Sequence, residues 1–262
     1  MNEILRLENV SYSYMTKSGE TIAVKDLNFT VKKGEFVAVI GPSGCGKTTV
    51  LSLIAGLIKP TGGKITLSGK EVLSPGGSVG YMLQRDELFN WLTIEKNALL
   101  PLEIKKAKTK ESALYVNALL DKYGLKDFKK KYPIELSGGM RQRAALIRTL
   151  SFKPDLLLLD EPFSALDYQT RLSVCDDVYS IIRNENKTAV LVTHDISEAI
   201  SLADKIIVLS TRPATVAHTH EFNFDKSLTP ILRRKDENFG KRFDLLWREL
   251  DDEKRADFAA KA

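Results

Sequence analysis

Cysteine is scarce in this chain. Cys45 and Cys175 are the only two in 262 residues, and they form neither a metal-ligand spacing nor a disulfide framework. Long apolar runs are missing too. The richest stretches, Phe36 to Ile40 and Leu156 to Leu159, have the length of buried strands and fall far short of the roughly 18 residues that cross a bilayer. Met1 to Glu8 mixes charged and apolar residues, which argues against a secretory leader. No internal repeat or low-complexity segment is visible. These absences speak against a disulfide-stapled secreted module and a membrane-spanning subunit, and point to the reducing cytosol.

What is present is an ordinary globular composition, 43% apolar and 28% charged. The length suits one large domain, or one domain with a subdomain. A net charge of +5 is mildly basic. A solvated, lysine-rich surface accounts for it better than nucleic-acid binding, and no nucleic-acid partner is expected. An anionic membrane surface or an anionic nucleotide would also suit it.

The first part of the chain reads as strands. Leu5 and Leu7, then Val24, Leu27, Phe29 and Val31, alternate with polar residues as half-buried strands do. Phe36 to Ile40 is continuously apolar and suits a strand covered on both faces. From about residue 86 to 152 the pattern turns helical, with Ala113, Val116, Leu119 and Leu120 on one face and Gly124 as a stop. Strands return at Leu156 to Asp160, Thr188 to Thr193 and Ile206 to Leu209. That alternation implies a parallel sheet with helices on both faces. Phe243, Leu246, Trp247 and Leu250 predict a short amphipathic helix. Asp251 to Ala262 reads as a frayed polar tail.

Chemistry concentrates at strand ends. Gly41, Pro42, Ser43, Gly44, Cys45, Gly46, Lys47, Thr48 and Thr49 follow a buried strand and open a helix. This is the setting of a phosphate loop, whose amides converge on an anion at a helix N-terminus. Lys47 would neutralise the β- and γ-phosphates, and the Thr48 hydroxyl would ligate Mg²⁺. Asp160 and Glu161 end an apolar strand, where Asp160 suits Mg²⁺ and Glu161 suits a general base on water. His194 ends another strand and could hydrogen-bond the γ-phosphate or the attacking water. Gln84 follows Val79 to Leu83 and could ligate Mg²⁺ or orient water, against a plain polar loop residue. Tyr14 could stack on a base, against simple partial burial. His218 and His220 lack such a setting and read as surface residues.

A second glycine-rich helix start follows at Leu136-Ser137-Gly138-Gly139-Met140-Arg141-Gln142. One nucleotide site has no obvious use for it, so the simplest reading is a site shared between two copies of the chain.

The order of these motifs resembles the ATPase subunit of ABC transporters, over nearly the whole chain to about residue 215. Tyr14 matches the A-loop, Gly41 to Thr48 the Walker A motif, Gln84 the Q-loop and Leu136 to Gln142 the signature. Leu156 to Glu161 matches Walker B, Ser164-Ala165-Leu166-Asp167 the D-loop and His194 the H-loop. The resemblance implies an α/β fold: a RecA-like P-loop NTPase core, an antiparallel β subdomain and an inserted α-helical signature subdomain. It implies an ATP-binding domain over 1–215 (helical subdomain about 86–152) and a C-terminal extension over 216–262. It also implies an ATP hydrolase using ATP and Mg²⁺, with two ATP molecules held in a head-to-tail homodimer. Ser137, Gly138 and Gly139 of one copy would meet the γ-phosphate held by Lys47 of the other, and Asp167 would lie near the dimer axis. Met140 departs from the commonest signature, which has Gln there.

The segment Leu83 to Thr93, with its Trp91-Leu92-Thr93, and Leu209-Ser210-Thr211-Arg212-Pro213 are similar to the nitrate/sulfonate/taurine importer branch, which also serves pyrimidine precursors. That implies a separate membrane permease, an extracytoplasmic solute-binding protein and a place on the cytoplasmic face of the membrane. A nucleic-acid or ribosome-acting ABC ATPase would usually carry tandem cassettes or long coiled-coil insertions, and an exporter ATPase fits the Trp91 segment less well.

Overall fold

The structure, a computed structural model, describes residues 3–17, 19–225 and 228–261. The chain folds into two compact units, one formed by residues 1–76 and 188–262, the other by residues 77–187.

The first unit opens with β1 (Glu3–Thr16) and β2 (Gly19–Lys32), which pair antiparallel. Leu5, Leu7, Val24, Leu27 and Val31 are buried, as their alternation with polar residues predicts, whereas Phe29 is only half-buried. Then come β3 (Phe36–Ile40), α1 (Lys47–Ile54), β4 (Gly62–Leu67) and β5 (Lys70–Glu71). The antiparallel sheet runs β2-β1-β4-β5.

The second unit carries β6 (Val79–Met82), α2 (Ile94–Ile104), α3 (Lys110–Lys122), α4 (Gly138–Leu150), β7 (Leu156–Asp160) and α5 (Tyr168–Asn184). β6 and β7 pair in parallel. Each helix starts on a side-chain cap. Thr93, Thr109, Ser137 and Asp167 accept from the amides of Lys96, Ser112, Met140 and Thr170, which satisfies donors that a helix leaves open at its start.

The chain then returns to the first unit with β8 (Thr188–Val192), α6 (Ile196–Leu202), β9 (Lys205–Leu209), β10 (Val216–Glu221), α7 (Pro230–Arg233) and α8 (Phe239–Lys261). β3 lies between β8 and β9, parallel to both, and β10 adds antiparallel on β9. Every residue of β3, β8 and β9 is buried, as their continuous apolar runs predict.

The second unit spans more than the helical stretch of about 86–152, since α2, α3 and α4 lie within that stretch and the β6–β7 pair and α5 flank it. β10, which opens the stretch 216–262, pairs antiparallel with β9. Two expectations, both at the C-terminal end, change. The closing helix is not short and 251–261 is not a frayed tail. α8 runs 23 residues, anchored by the fully buried Leu246 and by Glu249, which meets His220 Nε2 at 2.8 Å. Ala262 lies outside the described residues.

Candidate functional site

In the first unit, β3 delivers the chain straight into the glycine loop and α1 leaves it. The turn needs glycine. Gly44 and Gly46 have φ of 74° and 124°, a region that other residues rarely enter. Gly41 is needed for space, because a Cβ there would stand 2.9 Å from Cys45 Sγ. Lys47 is buried and donates to the carbonyls of Gly41 and Pro42, both at 2.9 Å. An ammonium has three donors, so the charge is held over the loop with a donor in hand. Thr48 is exposed. Thr49 is buried and shares a 3.1 Å hydrogen bond with the Tyr14 hydroxyl, which fixes a 43%-exposed ring beside α1. Burial pushes the Cys45 thiol up, with the charges of Lys47 and Arg212 pulling the other way, so it stays a neutral packing group.

His194 sits at the turn from β8 into α6. Thr193 Oγ1 donates to Glu198 at 2.7 Å and accepts from Asp195 N at 3.0 Å. Asp195 then caps α6 through Ser197 N and Glu198 N. These bonds fix the backbone that presents His194. A cavity of about 260 Å³ joins His194 to Gly41, Pro42 and Ser43, with Trp247, Leu250, Asp251 and Lys254 of α8 on its far side. Tyr14, the phosphate loop and His194 thus come together in one unit. His218 is exposed as expected, whereas His220 is half-buried against Glu249.

The second unit holds the remaining predicted residues. Asp160 ends β7, and its Oδ2 accepts from the Tyr81 hydroxyl of β6 at 3.2 Å. Glu161 takes φ 45°, uncommon for a residue with a Cβ. That kink turns the chain directly after Asp160. Ser164 holds the kink, its hydroxyl donating to Glu161 O at 2.9 Å, and Gln84 Nε2 donates to that hydroxyl at 3.2 Å. Gln84 and the Glu161 backbone are therefore joined by two hydrogen bonds through a single hydroxyl. Asp167 caps α5, and the hydrogen bonds from Thr170 hold its carboxyl below the ordinary range.

Ser137 is exposed at the start of α4 and accepts from Met140 N at 3.4 Å. The two glycines after it are packing requirements. A Cβ on Gly138 would stand 2.9 Å from Leu166 Cδ2, and one on Gly139 2.7 Å from Val174 Cγ2. Two arginines tie α4 to the segment after Gln84. Arg141 reaches Asp86 Oδ2 at 3.0 Å and Leu136 O at 2.9 Å, and Arg148 reaches the carbonyls of Asp86 and Glu87 at 2.7 and 2.6 Å. Burial lowers the Arg148 pKa from its ordinary value, with Asp86 and Glu87 opposing. The next loop hangs on Asn97, 0% exposed, which accepts from Phe89 N at 2.8 Å. It also donates to the carbonyls of Phe89, Leu92 and Thr93, all at 3.1 Å. Trp91 is left 73% exposed, its ring centroid 4.9 Å from that of Phe89.

A family model described as ABC transporter matches residues 24–164. The chain belongs to the ABC transporter family. It is an ATP-hydrolysing cassette of α/β fold. It is 48% identical over 249 residues to the uncharacterized ABC transporter ATP-binding protein YtlC of Bacillus subtilis, covering 94% of this chain and 95% of that protein. It is 42% identical over 218 residues to the taurine import ATP-binding protein TauB of Pelagibacter ubique, covering 83% and 82%. Among solved structures, the dimeric post-hydrolysis state of the ATP-binding cassette MJ0796 bound to ADP and Pi superposes with a TM-score of 0.70 at 29% identity, covering 85% of this chain and all of that one. Among the described residues of the cassette, no helix is long and apolar enough to cross a membrane.

Asn97, Arg148 and Tyr81 escaped the sequence reading. They are ordinary residue types inside elements, and only their tertiary partners reveal what they hold.

Proposed function

We propose that this cassette is the ATPase subunit of an importer. In this reading two copies close head-to-tail on two ATP molecules and drive a separate membrane permease. The observation that carries it is the exposed, Ser137-capped start of α4 in a chain that also owns a phosphate loop. A helix N-terminus carries partial positive charge and unpaired amides, and it attracts an anion. Ser137, Gly138 and Gly139 of one copy face the γ-phosphate that Lys47 of the other neutralises.

Gly41 to Thr49 wrap the phosphates, and the Tyr14 ring stacks on the base. Glu161 takes a proton from the attacking water as general base, and His194 orients that water or the γ-phosphate. Thr48, Gln84 and Asp160 would hold Mg²⁺. Their oxygens are the hard donors that this ion prefers, and Tyr81 keeps the Asp160 carboxylate oriented. Among the described residues no group of three or more His, Cys, Asp or Glu offers a competing metal cluster. The bound ion would neutralise phosphate charge.

The permease docks on the second unit. A cavity of about 320 Å³ there is lined by Arg85, Asp86, Glu87, Leu88, Asn90 and Arg141, among others, beside the outward-facing Trp91. Gln84 senses the γ-phosphate at one end of this segment, and the permease holds the other end, on the cytoplasmic face of the membrane. The TauB relative and the Trp91 segment support a small solute of the taurine, sulfonate or nitrate kind, or the pyrimidine precursors that the same branch serves, delivered by an extracytoplasmic binding protein.

Two variants test the site. Glu161→Gln should bind MgATP and dimerise but stop turnover, read by light scattering and phosphate release. Lys47→Ala should abolish measurable ATP binding. A Glu161→Gln protein that stays monomeric at saturating MgATP, even on its permease, overturns the shared site.

A further inference from the structure

The segment 210–215 between β9 and β10 has a role in the phosphate loop that its motif does not announce. Ser210 closes this segment on itself. Its hydroxyl donates to the carbonyls of Thr211 and Pro213 (2.9 and 3.1 Å) and accepts from Thr215 N at 2.9 Å. The segment is stitched to β2, with Ala214 N donating to Ala23 O at 2.9 Å and Lys25 N to Ala214 O at 3.0 Å. It passes against the loop itself. A Cβ on Gly46 would stand 3.1 Å from Ala23 O and 3.5 Å from Ala214 Cβ.

From this fixed base Arg212 extends along the loop, and its Nη2 donates to Gly44 O at 2.9 Å. A trans peptide is planar, with its oxygen and its N–H on opposite sides. Holding Gly44 O toward Arg212 therefore turns Cys45 N–H the other way, into the loop. There it makes a long 3.3 Å bond to Pro42 O, a contact readily exchanged for a phosphate oxygen. One residue before Arg212, Thr211 N donates to Glu253 Oε2 of α8 at 3.3 Å. A run of hydrogen bonds thus joins the C-terminal helix to the phosphate loop.

We propose that Arg212 is a positioning residue that presents the Gly44–Cys45 peptide N–H to nucleotide phosphate, and that α8 sets this grip through Glu253. The inference rests on the ATP site proposed above. Loop amides of this kind cradle the α- and β-phosphates, which ATP and ADP share. Losing the positioning should therefore weaken both nucleotides alike and leave the chemical step untouched.

The test uses the full chain with Arg212→Ala, Arg212→Lys and Glu253→Ala. It reads ATP and ADP affinity by displacement of a fluorescent nucleotide, steady-state KM and kcat, and the melting temperature. One net hydrogen bond corresponds to roughly three- to tenfold in affinity. Arg212→Ala should weaken ATP and ADP by that factor, raise KM in parallel and leave kcat within about twofold. Arg212→Lys should recover most of the loss, because an ammonium can donate to the same carbonyl. Glu253→Ala should weaken both nucleotides in the same direction by less. Unchanged affinities in Arg212→Ala, a loss confined to ATP, or a fall in kcat at constant KM would each overturn the positioning role. Wild-type affinity in Glu253→Ala would overturn the part played by α8. A wild-type chain that bound neither nucleotide would instead sink the ATP site.

Discussion

Replacing Asn97 with alanine should loosen the loop that presents Trp91 while leaving the phosphate loop alone. The side chain is 0% exposed and makes four hydrogen bonds to the backbone of residues 89–93. Its two amide N–H groups share the three carbonyls, so three independent bonds are at stake; at about 0.5–1.5 kcal/mol each, losing them costs about 3 kcal/mol. In a chain of this size 1 kcal/mol shifts the melting temperature by about 2–4 °C, which predicts a drop of roughly 6–12 °C by scanning fluorimetry. ATPase activity of the cassette alone should survive below that temperature. On the proposed permease docking, stimulation by the permease should fall, because the loop of residues 89–93 is no longer held. Asn97→Asp sharpens the test. A carboxylate there would keep the bond from Phe89 N but face three carbonyls in a dry site, which raises its pKa above the ordinary value of about 3.9. A raised carboxyl is tolerated while protonated, so its penalty should be smallest at low pH and grow as pH rises through the folded-state pKa. A melting temperature for Asn97→Ala within about 2 °C of wild type, with permease stimulation intact, would refute the reasoning.

Gly139→Ala should destabilise the second unit by about 1–3 kcal/mol, because its Cβ would stand 2.7 Å from Val174 Cγ2. Adding Val174→Ala should recover part of that loss in urea unfolding, and a double variant no better than the single one would place the strain elsewhere. Acid stability should depend on Glu185. Burial pushes its carboxyl up, but Lys122 and Tyr123, at 2.8 and 2.6 Å, outweigh this and hold it below its ordinary value. Its contribution is therefore present above about pH 4.3 and lost as pH falls through the lowered folded-state pKa. Tyr123→Phe should narrow that acid-side margin in urea midpoints measured across pH, and a difference confined to alkaline pH would contradict the assignment.

The parts of this fold that repeat a simple period were legible in the sequence. β3, β7, β8 and β9 stood out as apolar runs, and Gly41 to Thr49, Asp160 and His194 stood out because glycine, acid or histidine follows such a run. The signature start was legible because Ser137 is a capping residue followed by two glycines, whereas the packing of Gly138 and Gly139 against Leu166 and Val174 came only with the structure. What stayed hidden was set by partners distant in sequence. Asn97 looks like any polar helix residue until Phe89 and Leu92 fold over it, and Arg212 looks like a surface cation until Gly44 arrives beside it. The length of α8 was hidden for a related reason. Its last turns are polar on most sides, so hydropathy cannot tell them from a tail, whereas Glu249 and Glu253 tie the turns before them to the body.

The two guanidinium ties of Arg141 and Arg148 have a mechanical consequence. They hold Asp86 and Glu87 to the same helix that begins at Ser137, so a push on that loop is delivered to the helix start without any internal gear that could slip. On the proposed docking, a cassette that hydrolyses ATP but ignores its carrier would come from cutting these ties, not from altering either end.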